Sequence, residues 1–194
     1  MEQPFNEQSS LQLIESMINK AKNSFSESGT LYLLWGIVIF ICSLTQFFAD
    51  RFNYENANYI WFLTWIVAIY QVFYLSRRSK KERAKTYAAE MIKYVWICFA
   101  CCLFLCIYVL IYKKAYDSII PVILVMYGMP TFLTGTIIKF RSLIVGGISC
   151  WTLSIVSILL PNQYQTLCVC AAVVIAWIIP GYLFHLKYKT EQAS

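Results

Sequence analysis

"YVWICFACCLFLCIYVLIY", residues 94–112, runs for 19 residues without a charged side chain. A helix crossing a bilayer needs roughly 20 apolar residues in succession. The stretch therefore predicts a membrane crossing. Five more blocks of the same kind fall at residues 31–49, 57–75, 119–138, 143–160 and 166–186. The whole chain is 59% hydrophobic and 13% charged, against about half and about a quarter in soluble domains. The expected fold is all-α: a polytopic membrane bundle of six transmembrane helices in three hairpins, with an N-terminal amphipathic helix. Residues 1–30 form the cytoplasmic or interfacial lead, 31–186 the membrane domain and 187–194 a short cytoplasmic tail. No apolar segment with a small-residue cleavage site leads the chain, so the first block is expected to direct insertion itself.

The basic residues sort by loop. Lys20 and Lys22, then Arg77, Arg78, Lys80, Lys81, Arg83, Lys85 and Lys93, then Lys139 and Arg141, then Lys187 and Lys189 all fall on one side, 13 in total. Only Arg51, Lys113 and Lys114 fall on the other. Lys and Arg are retained on the cytoplasmic side, so the expectation is a cell (inner or plasma) membrane protein with both termini in the cytoplasm. The net charge of +6 thus points to lipid headgroups rather than nucleic acid. Arg77, Arg78, Lys80 and Lys81 follow the second block directly and are the candidate headgroup contacts. A basic side chain near an anionic leaflet contributes about 1 kcal/mol.

Ahead of the first block, "SSLQLIESMINKAKNSF", residues 9–25, places Leu11, Ile14, Ile18, Ala21 and Phe25 at three- and four-residue steps. Leu13 and Met17 widen that stripe, and Gln12, Glu15, Asn19, Lys20 and Lys22 form the polar face, as in an amphipathic helix. Ser9 and Gln12 make a capping box. The segment up to Glu27 carries two basic and four acidic side chains. This favours packing on protein, either the bundle or a second copy, over binding an anionic leaflet. Leu13, Ile14, Met17 and Ile18 are the candidate interaction face.

The opening stretch raises a second question, because four of its residues are cysteines. Cys98, Cys102 and Cys106 lie along one helical face, with Cys101 at its edge. Thiolates are soft metal ligands, but four on one straight helix cannot surround an ion, and no His or carboxylate in the blocks joins them. Small residues four apart are also what lets membrane helices approach. Gly146, Cys150 and Ser154 repeat the device, as do Cys168, Ala172, Ala176 and Pro180. Packing is the expected role of all three stripes. No metal and no cofactor is expected.

"MYGMPTFLTG", residues 126–135, is the most irregular membrane segment. Pro130 has no N–H and frees the carbonyl of Met126. Gly128, Pro130, Thr131, Thr134 and Gly135 are the candidate hinge or ligand residues, since broken helices build midplane sites in transporters, although proline kinks more commonly shape bundles. Pro180–Gly181 is expected to bend the last helix near the cytoplasmic surface. His185, the single histidine, has no acidic neighbour in sequence and reads as a boundary residue. No Asp or Glu falls inside the six blocks, whereas proton relays and ion-coupled transporters use intramembrane ionisable groups. No nucleophile–base pair is recognisable either, so the chain is not expected to be an enzyme.

"LIESMINKAKNSF", "GTLYLLWG" and "AWIIPGYLFHLKYK" at the two ends of the chain resemble a group of small six-span bacterial membrane proteins with no assigned activity. The resemblance implies an all-helical inner-membrane protein with cytoplasmic termini and transfers no site residue. The function expected is interaction at the cytoplasmic face, with membrane lipids around the bundle and a second copy or a cytoplasmic protein as partner. The alternative is a small transporter or lipid-handling protein with a cavity at the kinked fourth helix.

Overall fold

The computed structural model describes residues 29–52, 54, 57–79 and 87–193. The candidate residues Leu13, Ile14, Met17, Ile18, Lys80 and Lys81 lie outside them. The helices are α1 (Gly29–Arg51), α2 (Phe62–Ser79), α3 (Tyr87–Tyr112), α4 (Ile119–Ile137), α5 (Arg141–Leu159), α6 (Asn162–Val173) and α7 (Ile179–Ala193). Three short helical turns complete the path. Two 3-10 turns, Ala57–Trp61 and Tyr116–Ser118, lead into α2 and α4, and a π turn, Val174–Ile178, joins α6 to α7 without a break. There are thus six rods, and among the described residues no strand.

Five rods are long and apolar enough to cross a membrane, by length and composition. The second falls short: its apolar part is Tyr59–Tyr74, about 24 Å at 1.5 Å per residue against a hydrocarbon core of about 30 Å. It is also the most loosely held. Val67 is buried, and the Trp35 indole N–H of α1 donates to Gln71 Oε1 at 2.6 Å. Phe62, Trp65, Ile66, Ile69 and Phe73 are exposed around its other sides.

The core forms where α1, α4, α5 and the last rod meet. Ile39, Leu124, Tyr127, Cys150, Val169, Val173 and Trp177 pack into one buried cluster. Phe184, Ile138, Leu143 and Ile92 make a second one beside the corner between α4 and α5, where Phe140 and Phe184 rings lie 4.1 Å apart. The small-residue stripes of α5 and α6 are buried as expected, from Gly146 through Cys150 to Ser154 and from Cys168 through Ala172 and Ala176 to Pro180. The stripe of α3 is not. Ile92 is buried on this helix, and Trp96, Phe99 and Leu103 pack on the main cluster, so this face meets the bundle, while Phe104, Leu105, Tyr108 and Val109 are exposed. Cys98 and Cys101 are exposed and Cys102 and Cys106 half-buried. Bulky rings fill the groove over α1 and α4 with far more contact area than thiols offer.

Two corners carry the same unusual residue. Lys114 ends α3 at φ 56° and Lys139 follows α4 at φ 52°. In each, the N–H of the next residue reaches back five positions (Ala115 to Leu110 O, 2.9 Å; Phe140 to Gly135 O, 2.8 Å), and the lysine N–H bonds the carbonyl three back. This is the Schellman closure, which favours glycine at the left-handed position. A side chain there costs about 1 kcal/mol. Lys114→Gly should therefore raise the thermal midpoint by roughly 2–4 °C, measured in detergent. Lys139→Gly relieves the same strain but removes a basic residue from the corner between α4 and α5.

Candidate functional site

The five irregular residues of α4 divide between two faces. Gly128 and Gly135 form the seam with α5. A methyl group on Gly128 would lie 2.9 Å from the Gly147 carbonyl oxygen, and one on Gly135 would lie 2.8 Å from the Ile144 nitrogen. The glycines let two antiparallel backbones touch, leaving no space at the seam. Pro130, Thr131 and Thr134 turn the other way and are fully buried.

On that buried face the threonines meet indoles. The Trp177 N–H donates to Thr131 Oγ1 at 3.1 Å, and Thr131 Oγ1 donates to the Tyr127 carbonyl at 2.8 Å. One turn along, Thr134 is a polar neighbour of the Tyr32 hydroxyl, which also faces the Trp96 indole. The rings continue the connection. Tyr32 meets Trp96 edge-on at 5.6 Å, and Trp96 lies 5.5 Å from Phe99 and 6.3 Å from Trp177. Tyr127 lies 4.8 Å from Trp177 and 5.9 Å from Phe99. Four rods thus converge on the proline turn of α4. In hydrocarbon no water replaces a missing bond, so these hydroxyl–indole contacts fix the relative placement of the helices.

The last rod reaches this site through its π turn. The Ile179 N–H bonds the Val174 carbonyl, five residues back, and Pro180 follows with no N–H to give. Widening the turn by one residue absorbs the proline, so the helix continues to Ala193 past Pro180–Gly181 instead of stopping there. Its N-terminal end is tied down separately: the Asn162 amide bonds Asp117, and Gln165 Nε2 donates to Asn162 Oδ1 at 3.1 Å.

The buried polar side chains among the described residues are Ser43, Thr131, Thr134, Ser154, Ser157, Gln165 and Thr166. All are hydroxyls or an amide. All eight cysteines are free, and no group of three or more His, Cys, Asp or Glu stands close enough to hold a metal among the described residues. Arg77 is exposed in the last turns of α2, where Arg78 also lies. Tyr32, Trp96, Tyr127 and Trp177 escaped the sequence reading. Tyr127 and Thr131 share a face by their spacing, but nothing local marks aromatic residues of three other rods as their partners. No protein-family model, curated protein or solved structure matches the chain.

Proposed function

We propose that the chain is a six-crossing protein of the cell (inner) membrane with both termini cytoplasmic, acting through contacts of its cytoplasmic face with a second copy or a cytoplasmic protein. One observation carries this reading. Residues 9–25 hold an apolar stripe beside a face poor in basic residues, and such a stripe needs an apolar protein surface to cover it. The 13-to-3 division of basic residues supports the orientation. The second crossing is the short one. Counting its leading 3-10 turn at about 2 Å per residue, the rod from Ala57 to Ser79 rises about 37 Å, and the arginines at its end suit the headgroup region.

The test replaces Leu13, Ile14, Met17 and Ile18 together by serine. Native mass spectrometry of the gently extracted protein should then show loss of the assembled species while the monomer stays folded. Unchanged assembly counts against the reading. The transport alternative draws no support from α4, since α5 fills the seam at Gly128 and Gly135 and Trp177 covers Thr131.

A further inference from the structure

The weak points of three neighbouring helices lie side by side. In α4 the weak point is Pro130, where the backbone bond to Met126 is missing. In α5 it is the pair Gly146–Gly147, and paired small residues are where helices kink. In the last rod it is the π turn Val174–Ile178, a geometry that recurs at functional sites. Contacts place all three at one depth. A methyl group on Gly147 would meet the Phe132 nitrogen at 2.8 Å and the Gly128 carbonyl at 2.9 Å, on either side of Pro130. One on Gly146 would meet the Ala176 Cα at 2.6 Å, inside the π turn. Trp177, also in that turn, donates to Thr131. On α1, Gly36 sits against Ile178 at the same level.

We propose that this plane is a hinge across the bundle, and that the bond chain from Trp177 through Thr131 to the Tyr127 carbonyl is its latch. The cytoplasmic halves of α4 and α5 form one tight hairpin, closed by Gly135 and the Lys139 corner. That hairpin tilts as a unit about Pro130 and Gly146–Gly147. The π turn lets the last rod follow without breaking its backbone bonds. Tyr32 stands beside Thr134 as a polar neighbour. It lies in the first turn of α1, so movement at the cytoplasmic end of that helix reaches the hairpin directly. The hinge stands whether or not residues 9–25 bind a partner.

Thr131→Val keeps the shape of the side chain and removes the hydroxyl. In hydrogen–deuterium exchange of the full chain in detergent or nanodiscs, amides of residues 131–138 and 141–146 should then exchange about tenfold faster, with residues 119–126 and 150–158 unchanged. Trp177→Phe, which keeps a ring and removes the N–H, should give the same pattern. Thr131→Ser should stay at the wild-type rate. Pro130→Ala in the Thr131→Val background restores an N–H opposite the Met126 carbonyl and should return exchange towards wild type. Equal acceleration in both halves, no acceleration, or Thr131→Ser behaving like Thr131→Val would each overturn the proposal.

Discussion

Gly147→Leu should separate α4 from α5 and leave little folded protein. At this position the neighbours are the Phe132 Cβ at 2.6 Å, which no rotamer change moves, and two backbone atoms, the Phe132 nitrogen and the Gly128 carbonyl oxygen, at 2.8 and 2.9 Å from where a Cβ would stand. Backbone cannot rotate aside as a side chain can, so the helices themselves must part. Overpacking ordinarily costs about 1–3 kcal/mol. Here the displacement also opens Gly135 against Ile144 and stretches the bonds from Ser154 Oγ to the Pro121 carbonyl (2.9 Å) and from the Trp151 indole to Val125 (3.2 Å). A loss of about 3 kcal/mol or more is expected, a fall in the thermal midpoint of roughly 6–12 °C. Gly147→Ala should lose less, because alanine returns up to about 1 kcal/mol of helix propensity. Val145→Leu, on the exposed side of the same helix, is the control and should melt as wild type does. A Gly147→Leu protein melting within a degree of wild type would show that the seam is not a close backbone contact.

What could be read ahead of the structure follows from which features are local. Each long apolar run is a helix because an uncharged run of such length has few other ways to satisfy its backbone, and the buried stripes of α5 and α6 follow from four-residue spacing alone. The same spacing misled on α3. Cys98, Cys102 and Cys106 repeat as well as Gly146, Cys150 and Ser154 do, yet the bundle takes an adjoining face of the helix, where Trp96, Phe99 and Leu103 stand, and leaves Cys98 exposed. Periodicity shows that a face exists, and competition between faces is decided by the volume of the groove it must fill. The second rod illustrates a different limit. Composition marked residues 57–75 as a crossing, but the apolar helix within it, Tyr59–Tyr74, is shorter and starts inside a 3-10 turn. Pro180 was legible as an irregularity but not as its remedy, since the π turn that accommodates it depends on packing against Gly36 and Gly146. At the candidate site the α4 residues were evident from Pro130 and its flanking glycines. Their partners Tyr32 and Trp177 were not, because contacts between residues 46 or more positions apart, such as Trp177 with Thr131, leave no local trace.

Trp177→Ala should be the most damaging change outside the glycine seam. The side chain is buried and touches Tyr127 and Trp96 as well as Thr131. Its removal costs the contact of a large ring and leaves a cavity, about 3–5 kcal/mol for an aromatic residue cut to alanine. The cavity cannot close easily, for Gly36 and Gly146 already hold α1 and α5 against the π turn. Trp177→Phe should cost much less, near 1 kcal/mol, the usual net value of one hydrogen bond, because Thr131 retains its bond to the Tyr127 carbonyl. The ratio of the two losses separates ring packing from the polar link. A double cycle with Thr131→Val checks that division: once the threonine hydroxyl is gone, Trp177→Phe should cost almost nothing further, while Trp177→Ala should lose nearly as much as in the wild type. If both substitutions proved equally mild in the wild-type protein, the aromatic cluster would not be what joins α4 to the last rod.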